Sequence, residues 1–326
     1  MTATSLSRLM QRHRDSGLNV LIVFAAVQVL CIAGGLIFPD SFRYLSAANI
    51  SVQLKAIPVL GILALGVGVL MIAGEFDLSV GANYSITAIV MASTVQSGWS
   101  VYVVVPMVLA LGAVIGLING LVTLRFNIPS FITTLGTMLF WKGTTLLYNG
   151  ASSVRFRPDP LFVDLMAGNV GSMEAAFVWL VVLGLIFWAM LRHHKLGNHF
   201  YAVGGNKQAA TAIGINPSRT KLIAFGLAGF CAAFAGMLAT TRVGSVVPGS
   251  GLGLELQAIA ACVIGGLALT GGRGTILGIV LGAAMMYTIQ DVLLLARAPG
   301  FYLDIFVGTL IVIAVIFNEM VRQQRK

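Results

Sequence analysis

The chain has 326 residues, 58% of them hydrophobic and 10% charged, with a mean hydropathy of +0.94. A soluble globular domain carries about 25% charged residues, so that class is excluded and an all-α polytopic membrane protein is expected. The net charge of +9 does not point to nucleic acid, because the basic residues stand at the ends of apolar runs as topogenic charge rather than along one face.

Runs long enough to cross a hydrocarbon core of about 30 Å predict about ten transmembrane helices. They lie near 19–38, 56–73, 82–96, 102–124, 130–148, 176–191, 220–240, 255–272, 274–296 and 302–318. The first follows Arg8, Arg12 and Arg14 as in a signal sequence, and Ser46-Ala47-Ala48 mimics a cleavage site. Its length matches a membrane span better than a signal core, so it is read as an uncleaved first helix. The expected organisation is a cytoplasmic segment over 1–18, a single transmembrane domain over 19–318 and a cytoplasmic tail over 319–326. Both termini are then cytoplasmic, and thirteen of the twenty Lys and Arg fall inside, in accord with the positive-inside rule.

Between spans two and three, Glu75 and Asp77 interrupt apolar sequence in Gly74-Glu75-Phe76-Asp77-Leu78-Ser79-Val80-Gly81. A carboxylate inside hydrocarbon costs at least about 2.5–3.5 kcal/mol, so these acids need partners or water. One reading is a helix break lining the pathway or gate, with Ser79 and Asn83 as neutral hydrogen-bonding groups. The other is an ordinary turn at the cytoplasmic boundary. A related segment, Gly265 to Gly272, shares the pattern G-x-[FL]-x-L-[ST]-x-G; duplication and coincidence both account for the echo.

Small residues recur every four positions at Gly112, Gly116 and Gly120, from Ala224 to Gly236, and at Gly274, Gly278 and Gly282, seams that let helix backbones approach. The fifth span opens with Pro129 at a tolerated first-turn position. Along it Ser130, Thr134, Thr137, Trp141, Thr144 and Tyr148 form one stripe. Hydroxyls beside aromatic rings suit a polyol pathway, and they equally suit packing between helices. Lys142 and Asp291 fall at similar depth in the outer half, where they form an ion pair or where Lys142 snorkels.

The long polar island from Arg192 to Lys221 has five Lys or Arg, three His and no acid. It is read as a cytoplasmic loop over 192–221, with the opposite-facing loop over 149–175 outside the cell. Asn206 is placed to cap a helix from about Lys207 to Ile213, and Gly214 to end it. Two turns of helix are marginal alone, so other elements must hold it. His13, His193, His194 and His199 read as surface charge. Cys31, Cys231 and Cys262 read as packing residues, and no phosphate-cradling loop or zinc motif occurs.

Gly74 to Gly81, Pro129 to Gly136, Ala202 to Ile215 and Glu255 to Gly274 together resemble the permease subunits of ribose-type ABC sugar importers. That branch serves ribose, xylose, arabinose, galactose, allose and autoinducer-2. Glu75 stands where the family usually has Gly. The resemblance implies a multi-pass protein of the bacterial inner membrane, paired with a second permease copy or a paralogue. It is fed by a periplasmic sugar-binding protein and driven by an ATPase subunit with two nucleotide-binding domains. ATP-Mg is then bound by that partner, with no cofactor on this chain. The carried-over ATPase-coupling helix comprises Gly204, Gly205, Asn206, Ala209, Ala210, Ala212, Ile213 and Gly214. The membrane motif falls on Glu75 to Gly81, and 149–175 is a candidate dock for the binding protein. The competing class is an ion-coupled secondary transporter of a small polar solute, with Glu75, Asp77 and Asp291 as coupling groups.

Overall fold

The computed structural model describes residues 18–171 and 173–323. In chain order the helices are α1 (Leu18–Ile37), α2 (Ala47–Ile72), α3 (Val80–Gln96), α4 (Val101–Phe126), α5 (Ser130–Asn149), α6 (Pro160–Ala167), α7 (Ala175–His193), α8 (Lys195–Gly205), α9 (Lys207–Ala212), α10 (Pro217–Val243), α11 (Leu254–Ile264), α12 (Ile276–Leu295) and α13 (Phe301–Gln323). Two short antiparallel pairs complete the described residues. β1 (Val154–Arg155) pairs with β4 (Ser245–Val246), and β2 (Asn169–Val170) pairs with β3 (Met173–Glu174).

The architecture follows from which helices are apolar on every side. A helix hydrophobic all round belongs in the interior of a bundle, and α2 is the extreme case, with every residue from Pro58 to Ile72 buried. Around it pack α10, α12, α7 and α11. The 27-residue α10 also bridges α3 and α4, whereas α1 stays at the periphery against α12.

Close helix approach is achieved by the small-residue seams. A Cβ added at Gly116 would collide with the Phe225 carbonyl, and one at Gly112 with Ala233 and the Gly229 carbonyl, so α4 and α10 pack backbone to backbone. Gly278 and Gly282 of α12 face Gly265, just past α11, and Ala261 of α11 in the same way.

Among the described residues, α1, α2, α4, α7, α10 and α12 are long and apolar enough to cross a membrane. Of the other expected spans, α3 and α11 are shorter and α5 is more polar. The run predicted at 255–272 is helical only over Leu254–Ile264, 11 residues, or about 16 Å at 1.5 Å per residue. Gly265 ends it, and the left-handed Gly266, Gly271 and Gly272 keep the chain non-helical until Thr275 caps α12. The run predicted at 56–73 begins earlier, at Ala47, because Ser46 caps it by accepting the Asn49 N–H at 3.2 Å. Arg8, Arg12, Arg14 and His13, with Arg325 and Lys326 of the tail, lie outside the described residues.

A candidate functional site where two broken helices meet the polar island

The break after α2 and the break after α11 touch each other. Gly74 (φ +82°) lies against Gly271 (φ +83°), and the Gly272 N–H donates to the Ile72 carbonyl at 2.8 Å. The two echoing segments thus form one junction at the end of the bundle that carries α8 and α9. Gly204, near the end of α8, is wedged into it. A Cβ there would strike the Ile72 carbonyl and come within 2.7 Å of the Gly272 nitrogen. One turn earlier the Tyr201 hydroxyl donates to the Gly274 carbonyl at 2.8 Å. Burial pushes that phenol above its ordinary value against an opposing pull from Arg192, so it remains a proton donor.

The loop between α2 and α3 is held by side chains from α4 and α5. Phe76 N–H donates to Ser130 Oγ at 3.2 Å and Leu78 N–H to Thr134 Oγ1 at 3.0 Å. Asp77 is buried and accepts from Ser79 N–H at 2.7 Å, Ser79 Oγ at 2.7 Å and Asn119 Nδ2 at 3.1 Å. The Asn119 amide also donates to Ser79 Oγ at 2.7 Å. Every donor to this carboxyl is neutral. Glu75 has a different environment, an ion pair with Lys221 of α10 in which both side chains are largely buried.

The expected pathway residues therefore divide. Glu75, Asp77, Ser79, Ser130 and Thr134 converge on the break. Asn83 does not join them; its amide donates to the Gly112 carbonyl at 3.0 Å and fastens α3 to α4. Thr137 turns back to the Thr134 carbonyl, and Trp141 lies half-buried further along α5. Lys142 is exposed, and among the described residues it pairs with no acid. Asp291 instead takes amide hydrogens from Asn49 and Gln53, both at 2.8 Å, groups one turn apart on α2.

The polar island folds into α8, α9 and the first turns of α10. Asn206 Oδ1 accepts the Ala209 N–H at 3.0 Å and caps α9, and Gly214 follows at φ +85°. Ala210 faces inward, whereas Gly205, Ala209, Ala212 and Ile213 are exposed, Ile213 to 74%. The short helix is thus held by its neighbours α8 and α10 and presents Ala209 and Ala212 outward beside Lys207, Gln208 and Thr211.

A second meeting point lies deeper in the bundle. The chain before α11 turns inward until the Gly251 N–H donates to Ser85 Oγ at 2.9 Å. There the buried Glu255 accepts the Gly253 N–H at 3.1 Å and its carboxylate lies against Gly81. Two cavities open among loops at the end opposite α9. One, of about 330 Å³, is lined by Trp99, Tyr102, Arg157 and Asp159. The other, of about 660 Å³, is lined by Phe38, Asp40, Phe42 and Arg297.

The groups that sequence reasoning missed are Asn119, Tyr201, Lys221 and the Asn49–Gln53 pair. A lone Asn inside the apolar α4 and two amides four residues apart are the available signals, since polar groups at membrane depth rarely lack a partner. In the sequence Lys221 reads as topogenic charge, and only the fold reveals its acid.

Comparison with known proteins supplies the lineage. Residues 49–315 match the model of a family described as the branched-chain amino acid transport system permease component. Similar proteins include the autoinducer 2 import system permease protein LsrC of Enterobacter sp. (strain 638), 35% identical over 282 residues, covering 86% of this chain and 81% of that protein. The protein of the same name from Salmonella choleraesuis (strain SC-B67) is 32% identical, covering 91% of this chain and 86% of its own. That of Photorhabdus luminescens is 30% identical, covering 97% and 92%. No solved structure gives a significant match. With its helical breaks, capped α9 and apolar core all within the matched region, the chain belongs to this family of import-system permease components.

Proposed function

We propose that the chain is the membrane-spanning subunit of an ATP-binding-cassette importer in the bacterial inner membrane. It translocates autoinducer-2 or a monosaccharide-like polyol inward. The observation that carries this reading is the placement of α9, an exposed helix braced by α8, whose end is wedged between the two breaks. Movement of α9 is delivered directly to the points where the spanning helices are interrupted. The names of the relatives, autoinducer 2 import permeases, support the direction of transport and the substrate class.

In this reading the chain has ten spans with both termini cytoplasmic, and a second copy or a paralogue completes the translocation cavity. A separate ATPase with two nucleotide-binding domains docks on Gly204 to Gly214 and binds ATP-Mg. A periplasmic binding protein delivers solute to the opposite end, where 149–175 is folded through α6 and both strand pairs. Nucleotide binding shifts α9, and the breaks at Gly74 and Gly271 transmit the shift to α2, α3 and α12 as hinges. Glu75, Asp77, Ser79, Ser130 and Thr134 then form the inner gate, with Asn83, Thr137 and Trp141 further along the path.

Reconstitution decides the class. Liposomes holding the permease, its ATPase and the binding protein accumulate solute only when supplied with ATP. Uptake by this chain alone on a proton or sodium gradient identifies the secondary transporter instead.

A further inference from the structure

The five cations of the polar island, Arg192, Lys195, Lys207, Arg219 and Lys221, are not equivalent. Among the described residues only Lys221 meets an acid, Glu75 of the break after α2. Its side-chain exposure is 12% and that of Glu75 is 14%, whereas Lys55 in the other ion pair, with Glu174, is 39% exposed. Salt screens exposed pairs and leaves enclosed ones largely intact, so the Glu75–Lys221 contact is the stronger tie. Among the described residues it is also the one tie on this loop that joins two opposite charges. The remaining ones run through backbone, hydroxyl and amide groups, from Ser130, Thr134 and Asn119.

Its position gives it leverage. Lys221 lies in the second turn of α10, and only residues 213–216 separate α10 from α9. Asn216 caps α10 by accepting the Arg219 N–H at 3.0 Å, so the connection is short and structured. A displacement of α9 toward a bound partner pulls on the start of α10 and therefore on the pair. On the other side of α9, Gly204 and Tyr201 hold α8 to the same junction. The island is thus fixed to the breaks on both flanks, by neutral contacts before α9 and by one ion pair after it.

We propose that Glu75 and Lys221 form a latch that holds α10 to the break after α2 in the resting transporter and opens when the ATPase moves α9. The latch sets how strictly hydrolysis waits for a loaded binding protein. This rests on the importer reading and adds to it a regulatory pair formed by Glu75 and Lys221.

The test uses the complete complex of permease, ATPase and binding protein in liposomes. Hydrolysis is measured with and without the binding protein, together with solute taken up per ATP and the thermal midpoint of the complex. Glu75→Gln and Lys221→Met each raise hydrolysis without binding protein about fivefold or more, in line with coupling energies between distant sites, and lower uptake per ATP. The double reversal, Glu75→Lys with Lys221→Glu, brings both readouts back towards wild type. The latch is overturned if the single variants match wild type in both. It is overturned too if they lose only thermal stability at an unchanged uptake per ATP, or if the reversal stays as uncoupled as its parents. A wild-type complex that transports without ATP overturns the importer reading itself, a distinct result.

Discussion

Gly204 and Gly205 are adjacent in sequence and opposite in consequence. In an exposed helix, Gly→Ala is worth about 0.5–1 kcal/mol of added stability, because glycine loses the most conformational freedom on folding. Gly205 meets that condition, since an added Cβ finds nothing within 4 Å. At Gly204 the same methyl meets the Ile72 carbonyl and, at 2.7 Å, the Gly272 nitrogen. All the obstructing atoms are backbone and cannot rotate away, so α8 must lift or the Gly272–Ile72 hydrogen bond must open. Breaking that bond strands a buried donor or acceptor, a cost of about 1–3 kcal/mol, and overpacking adds about 1–3 kcal/mol. The packing penalty exceeds the helix gain, and Gly204→Ala is expected to be destabilised by about 1–5 kcal/mol on these terms. Thermal unfolding in detergent, read by fluorescence of a buried-thiol probe that reports exposure of Cys231 and Cys262, measures it. Gly205→Ala should leave the midpoint unchanged or raised. Equal midpoints for the two variants, or a lower one for Gly205→Ala, would refute the assignment of Gly204 as the wedge.

Other substitutions probe the remaining parts. Ala209→Glu lies on the exposed face of α9 and should leave folding intact while abolishing ATPase stimulation and uptake in the reconstituted complex. Asp77→Ala strands Ser79 and Asn119, each hydrogen bond to a charged group being worth about 1.5–3 kcal/mol; membrane abundance should fall sharply, with Asp77→Asn intermediate. Thr134→Val removes the acceptor for the buried Leu78 N–H at a cost of about 1–3 kcal/mol, and Thr134→Ser should retain most of the stability. Lys142→Met should transport as wild type, whereas Asp291→Leu, which orphans the amides of Asn49 and Gln53, should lower the unfolding midpoint.

Much of this was legible in the sequence, where the chemistry is local. The apolar runs announced the bundle, the four-residue spacing of Gly112, Gly116 and Gly120 announced a close neighbour, and Asn206 with Gly214 announced a capped helix. What was not legible is which distant groups meet. Nothing near Glu75 names Lys221, 146 residues away, as its partner. The stripe on α5 reads as continuous because helical periodicity is regular, but only its first two members reach the break. Hydropathy also overstated the eighth span, since a window average registers Ala, Leu and Val around Gly265 and Gly266 without registering that their backbone leaves the helix.

The echo between Gly74 to Gly81 and Gly265 to Gly272 acquires a physical sense whatever its origin. A helix end buried inside a bundle leaves carbonyls that need donors, and membrane interiors provide no water to satisfy them. The second break supplies what the first lacks: the Ile72 carbonyl at the end of α2 takes its hydrogen from Gly272. Both segments must be rich in glycine for the backbones to come that close, and Gly204 must be glycine to enter between them. Three chain segments far apart in sequence therefore share one satisfied junction. In the proposed mechanism a push on α8 therefore bears at once on the end of α2 and on the segment that leads into α12.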